Sequence, residues 1–170
     1  SALPMGHLLN LLDREGGGEA IATFRLMPPL PAAETVHGAD MIFGLPSASP
    51  AQAVWSLFRS SPVEEIVATE AAGATASLAG LDVAAGRRGN QIVVRLVCRS
   101  DRVTSVQLRL EGLGGRRLAP RATHQCVTAN TVTQGAVVAI DELPVQGGCV
   151  DVPLARGEAA HLIVLTLEGG

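Results

Sequence analysis

Between Gln91 and Glu111 apolar and polar positions alternate. Ile92, Val94, Leu96 and Cys98 share one parity, and Arg95 and Arg99 fall on the other. After a polar break, Val106, Leu108 and Leu110 are apolar while Ser105, Gln107, Arg109 and Glu111 are polar. A period of two is that of a half-buried strand. Closing the two runs about Ser100-Asp101-Arg102 predicts a β-hairpin that pairs Leu96 with Val106, Val94 with Leu108 and Ile92 with Leu110. A two-stranded ribbon is marginal in water, so its apolar face requires a second sheet from elsewhere in the chain.

That sheet is available downstream of Pro62. Strands are predicted at Glu65–Thr69, Ser77–Ala84, Gln91–Cys98, Thr104–Leu110, Ala119–Val127, Ala136–Ile140, Cys149–Pro153 and His161–Leu167. Glycine-rich turns separate them, among them Gly86 to Asn90, Gly112 to Gly115 and Gly147-Gly148. About eight short strands at this spacing predict an antiparallel β-sandwich, so the fold class is mainly β.

Upstream the periodicity is helical. Met5, Leu8, Leu9 and Leu12 form an i, i+3, i+4, i+7 stripe over Leu3–Arg14, stopped by Gly16-Gly17-Gly18. A second helix opens with Ser49 as cap, Pro50 at the first helical position and Gln52 closing a capping box. Its stripe is Ala51, Val54, Trp55 and Phe58, and Ser60-Ser61-Pro62 ends it. Between the helices, Ala20–Met27 suits a short strand or helical turn, Pro28, Pro29 and Pro31 impose an extended path, and Val36–Leu45 reads as loop with a short extended piece. The expected organisation is a helical segment over 1–61 and a β-sandwich over 62–170.

Composition narrows the function. With one Trp, three Phe and no Tyr, the core is aliphatic, and stacking platforms for sugars or bases are scarce. No run approaches a membrane span, and the start lacks a basic-then-apolar signal. The odd cysteine set, Cys98, Cys126 and Cys149, favours reduced thiols and a cytoplasmic setting. All thirteen basic residues are Arg, and nine lie between Arg87 and Arg121, where Asp101 and Glu111 are the only acids. That stretch carries +7 in a chain of net −3, so it would face an anionic partner or the acidic remainder of the molecule.

No stretch assembles a self-evident active site. The absence of Lys excludes a phosphate-binding Gly-Lys-Ser/Thr loop, and no Gly-x-Ser-x-Gly elbow occurs. His124 and Cys126 share a strand face, as two metal ligands would, but spacing supplies no third. His7, His37 and His161 stand alone, with His161 expected at the rim of its strand. Carboxylates at Glu34, Asp40, Glu64-Glu65, Glu70 and Asp141-Glu142 read as solvated surface, since strand neighbours point to opposite faces. No catalytic residue is assigned, and no cofactor or metal is expected.

Four pieces carry a resemblance to the C-terminal part of the retaining α-L-arabinofuranosidases and their xylosidase and glucuronidase relatives. PSASPAQAVWSLFRSS (Pro46–Ser61) resembles the last helix of their catalytic (β/α)8 barrel. LDVAAGRRGNQIVVRLVCRSDRVTSVQLRLEGL (Leu81–Leu113) resembles their paired sandwich strands. ATHQCVTANTV (Ala122–Val132) resembles the stretch ending in an Asn near the sandwich edge, here Asn130. VDVPLARGEAAHLIVLTL (Val150–Leu167) resembles their closing strands. Position 98 is Cys where the family's strand often has Asn, and neither family catalytic glutamate matches a glutamate here. The resemblance implies a non-catalytic sandwich portion or subunit bracing a barrel supplied by another chain or segment. Its partner would be another polypeptide or domain met through the helical segment. A self-assembling, shell-like sandwich subunit with an arginine-rich face is the alternative, with self-association expected. No membrane is implied, and nucleic acid is not favoured.

Overall fold

The computed structural model describes residues 3–15, 50–72, 80–99, 102–128, 137–155 and 159–169. Ser49, Glu34, Asp40, His37, Asn130 and the predicted elements between residues 16 and 49 lie outside them. Among the described residues two helices, α1 (Leu3–Glu15) and α2 (Pro50–Arg59), precede the strands. The strands are β1 (Glu65–Val67), β2 (Leu81–Arg88), β3 (Gln91–Cys98), β4 (Ser105–Arg109), β5 (Arg117–Leu118), β6 (Arg121–Thr128), β7 (Val137–Gln146), β8 (Cys149–Pro153) and β9 (Ala159–Glu168).

Every strand pairing among the described residues is antiparallel, in the order β1-β2-β3-β9-β6-β7-β8-β4, with β5 on β9. The sheet curls over on itself at β7. Its first part, through Pro144, pairs with β6, and Val145-Gln146 then pair with β8. Pro144 lacks an amide hydrogen and sits where the strand changes partners, a position a ladder tolerates. The curl closes an aliphatic core of Ile92, Val94, Leu96, Cys98, Val150, Val152, Ile163 and Leu165, with Val106 and Leu108 packed against it. The mainly β sandwich expected from the turn spacing is therefore present, with its two helices.

The predicted hairpin is not. Leu96 pairs with Val83 on one side and His161 on the other, while Val106 pairs with Val152. The two alternating runs meet across the core, one from each half of the curled sheet. The reason lies in β3 itself. Besides its even-numbered residues, Val93 and Val97 are also fully buried, so β3 is a central strand covered on both faces. β4 alternates strictly, with every odd-numbered residue exposed, as suits an edge.

The second face of β3 is covered by the helices. Leu9, Ala53, Val54, Leu57 and Phe58 pack on Val93, Val97, Val127, Ala160 and Leu162. The face that α1 turns to the sheet is Gly6, Leu9 and Asn10, rotated from the predicted stripe, and Leu8 is exposed. Gly6 explains the rotation. A Cβ there would come within 2.7 Å of Val97 Cγ2, so only glycine lets the helix approach so closely. Gly86 plays the same part in β2, where a Cβ would fall 2.5 Å from Val63 Cβ. That glycine, expected in a turn, continues the strand and pairs with Val93 and Ile66, so the turn contracts to Gly89-Asn90.

Candidate functional site

Three polar clusters rise from this scaffold. The first joins α1 to β2. Asp82 lies under α1, with His7 Nδ1 2.8 Å from its Oδ2 and Asn10 Nδ2 donating to the same oxygen at 3.3 Å. Arg14 pairs with Oδ1 and donates to the Val83 carbonyl at 3.1 Å. His7, Asn10 and Arg14 fall on one helical face at i, i+3 and i+7, which is why one carboxylate receives all three. Burial works against ionising Asp82, but the bonds from Arg14 and His7 outweigh it and hold the carboxyl below its ordinary 3.8. The cluster anchors a helix and leaves no carboxylate free for acid-base work.

The second fastens α2. Arg95 is only 7% exposed and donates to the carbonyls of Phe58 at 3.0 Å and Ser61 at 3.1 Å. Its guanidinium also lies 5.5 Å from the centre of the Phe58 ring. Carbonyls at a helix C-terminus lack intrahelical partners and carry the negative end of the dipole, so a cation there satisfies both. Burial lowers the Arg95 pKa to about 10, which leaves it charged at neutral pH. Arg95 therefore does not belong to an outward basic face. The other arginines of that region are also dispersed, with Arg87 beside Glu65, Arg109 beside Glu111 and Arg121 beside Glu142.

The third is a pair of histidines on the inner face of the sheet. His124 on β6 and His161 on β9 are 3% and 0% exposed. Nε2 of His124 lies 3.0 Å from Nδ1 of His161, and the rings are 11° from parallel. One ring must donate and the other accept, so the pair is consistent with two neutral imidazoles. The outer nitrogens, Nδ1 of His124 and Nε2 of His161, are buried without a partner. Burial depresses both histidines, His161 to about 4 with His124 adding to the effect, while Asp141 partly opposes the shift at His124. Cys126 stands opposite His161 in the ladder, and burial, with Asp141, pushes its thiol up to about 11. A thiol held protonated beside neutral, water-excluded rings is not an activated nucleophile.

The histidine expected at a strand rim thus sits at the centre of the sheet. It completes a pair with His124 that spacing along the chain could not reveal, because β9 returns from far downstream to lie beside β6. The signal available was the unbroken apolar run around it, Ala159 to Leu165, which marks a strand covered on both faces. Glu64, Glu65, Glu70, Asp141 and Glu142 are exposed, as expected of solvated carboxylates. Cys98 and Cys126 are buried and Cys149 is half-buried, and none of the three is in a disulfide. Among the described residues, no group of three or more His, Cys, Asp or Glu is placed to hold a metal ion. No helix there is long and apolar enough to cross a membrane.

No protein-family model and no curated protein matches the chain. Solved structures do. One is CelM2, a bifunctional glucanase-xylanase from a metagenome library, at 12% identity and a TM-score of 0.53, covering 72% of this chain. Another is a β-porphyranase of glycoside hydrolase family 86 from Bacteroides plebeius, at 12% identity and a TM-score of 0.48 over 70% of this chain. The chain spans 23% of the length of the first and 19% of the second. The likeness to CelM2 is one of fold.

Proposed function

We propose that this chain is the non-catalytic β-sandwich portion of a retaining glycoside hydrolase of the arabinofuranosidase-xylosidase type, bracing a catalytic barrel supplied by another segment or chain. The observation that carries the reading is the two-sided character of α1. One side presses Gly6 and Leu9 on the sheet. The other presents Leu8 and Leu11, 41% and 46% exposed and one helical turn apart. A helix with apolar residues on both sides suits a position between two layers, here the sandwich and the outer helices of a barrel. The fold shared with part of a glucanase-xylanase supports the same reading, as do the Asp82 and Arg95 clusters, which fasten the helices to the sheet.

The test presents aryl α-L-arabinofuranoside, β-D-xyloside and β-D-glucoside to the 170-residue chain alone and to the chain joined with its barrel. The chain alone hydrolyses none of them, and hydrolysis appears with the barrel. Turnover by the chain alone would overturn the proposal.

A further inference from the structure

We infer that the end of the sandwich carrying the Gly89-Asn90 turn is a binding site for a small oxyanion, a carboxylate or a sulfate. Three elements converge there: the β2-β3 turn, the residues just before β5, and the end of β9. They enclose an open cleft of about 410 Å³ lined by Arg87, Gly89, Asn90, Arg116, Leu167 and Gly169. Its two guanidiniums arrive from different elements. Arg87 uses Nε to donate to the Gly89 carbonyl at 3.0 Å, which fixes the side chain at the mouth. Of the acids on the flanking elements, Glu64 accepts from the Gly89 amide at 3.2 Å, Glu65 stands 3.9 Å from Arg87, and Glu168 is exposed between the cleft-lining Leu167 and Gly169.

Arg116 is the residue that points to a ligand. Among the described arginines whose side chains have no hydrogen bond, ion pair or ring contact, the others, Arg88, Arg99 and Arg117, are exposed, whereas Arg116 is half-buried in the cleft. Its side-chain nitrogens are open to the cleft and carry no hydrogen bond or ion pair, so the guanidinium fork is available to an anion. A carboxylate or sulfate between Arg116 and Arg87 would accept charge-assisted bonds from both. Leu167 gives the cleft an apolar floor, which suits the ring of an acidic sugar better than a bare ion. The site lies on a different surface from the α1 face and does not depend on its role.

Titration of the ¹⁵N-labelled chain with sulfate and with glucuronate, at constant ionic strength and against chloride, tests the site. Saturable shifts of the Arg116 and Asn90 signals are expected. Arg116→Gln should weaken binding about tenfold or more, whereas Arg117→Gln, with its side chain exposed nearby, should leave it within about twofold. Tighter binding of glucuronate would assign a sugar acid, and equal binding a bare oxyanion. Either supports the site. No saturable shift, or equal weakening by both substitutions, would overturn it. Arg116 makes no side-chain hydrogen bond or ion pair in the fold, and an unchanged urea midpoint for Arg116→Gln would confirm that its substitution reads binding and not unfolding.

Discussion

Acidification should destabilise this protein through the His124-His161 pair. His161 titrates at about 4 in the folded chain against an ordinary 6.5. The unfolded state therefore binds the extra proton more readily, and stability falls as pH falls below 6.5 towards 4. At about 1.36 kcal/mol per pH unit, the loss attributable to His161 approaches about 2 kcal/mol by pH 5 and about 3 kcal/mol by pH 4. His124, lowered by the same burial, shifts stability in the same direction. Asp82, held below 3.8, contributes stability that is lost only as pH falls through its lower folded value, so the interval from pH 7.5 to 5 isolates the histidines. The assay is a series of urea denaturations followed by circular dichroism across that interval, for the wild type and for His161→Leu. The wild type should lose about 2 kcal/mol or more, and the variant, with one titrating ring removed, should show a markedly flatter profile. A wild type with constant stability over this range, or a variant with an unchanged slope, would show that the buried pair does not govern stability in acid.

Other consequences concern the helix-covered face. Phe58→Ala empties a site only 1% exposed, and should cost about 3–5 kcal/mol in chemical denaturation. Gly6→Ala places a methyl 2.7 Å from Val97 Cγ2 and should cost about 1–3 kcal/mol, largely recovered against a Val97→Ala background that makes room. Asp82→Asn removes the charged acceptor shared by His7, Asn10 and Arg14. It should cost about 1–3 kcal/mol and raise amide exchange in α1 more than in β9, read by hydrogen exchange.

Several elements were legible from pattern alone. β3 and β8 occupy the predicted residues, and α2 ends at the serines before Pro62. These segments are decided locally, by alternation and by a proline that blocks continuation. Partner choice was not legible. Ile92, Val94 and Leu96 share a face with Val106 and Leu108 whether the strands are neighbours in one sheet or face each other across two. The buried odd positions Val93 and Val97 were the evidence for the second arrangement. Arg95 interrupts that second face and made it look solvated, yet it is the group that satisfies the end of α2. The Asp82 anchor and the histidine pair escaped for a related reason, because each joins residues tens of positions apart through tertiary pairing. The β7 strand outran its prediction because Leu143 enters the core between exposed Glu142 and Pro144.

On the proposed function, the outward side of α1 is covered by a catalytic barrel, and that placement is open to test. Its most direct measurement is the thermal midpoint and glycosidase activity of the barrel-joined chain carrying Leu8→Glu and Leu11→Glu. Both positions are open to solvent in the sandwich itself, so the isolated chain should keep its midpoint within about 2 °C, as is usual for surface changes. The joined protein should lose both midpoint and activity. Unchanged behaviour of the joined protein would contradict the claim.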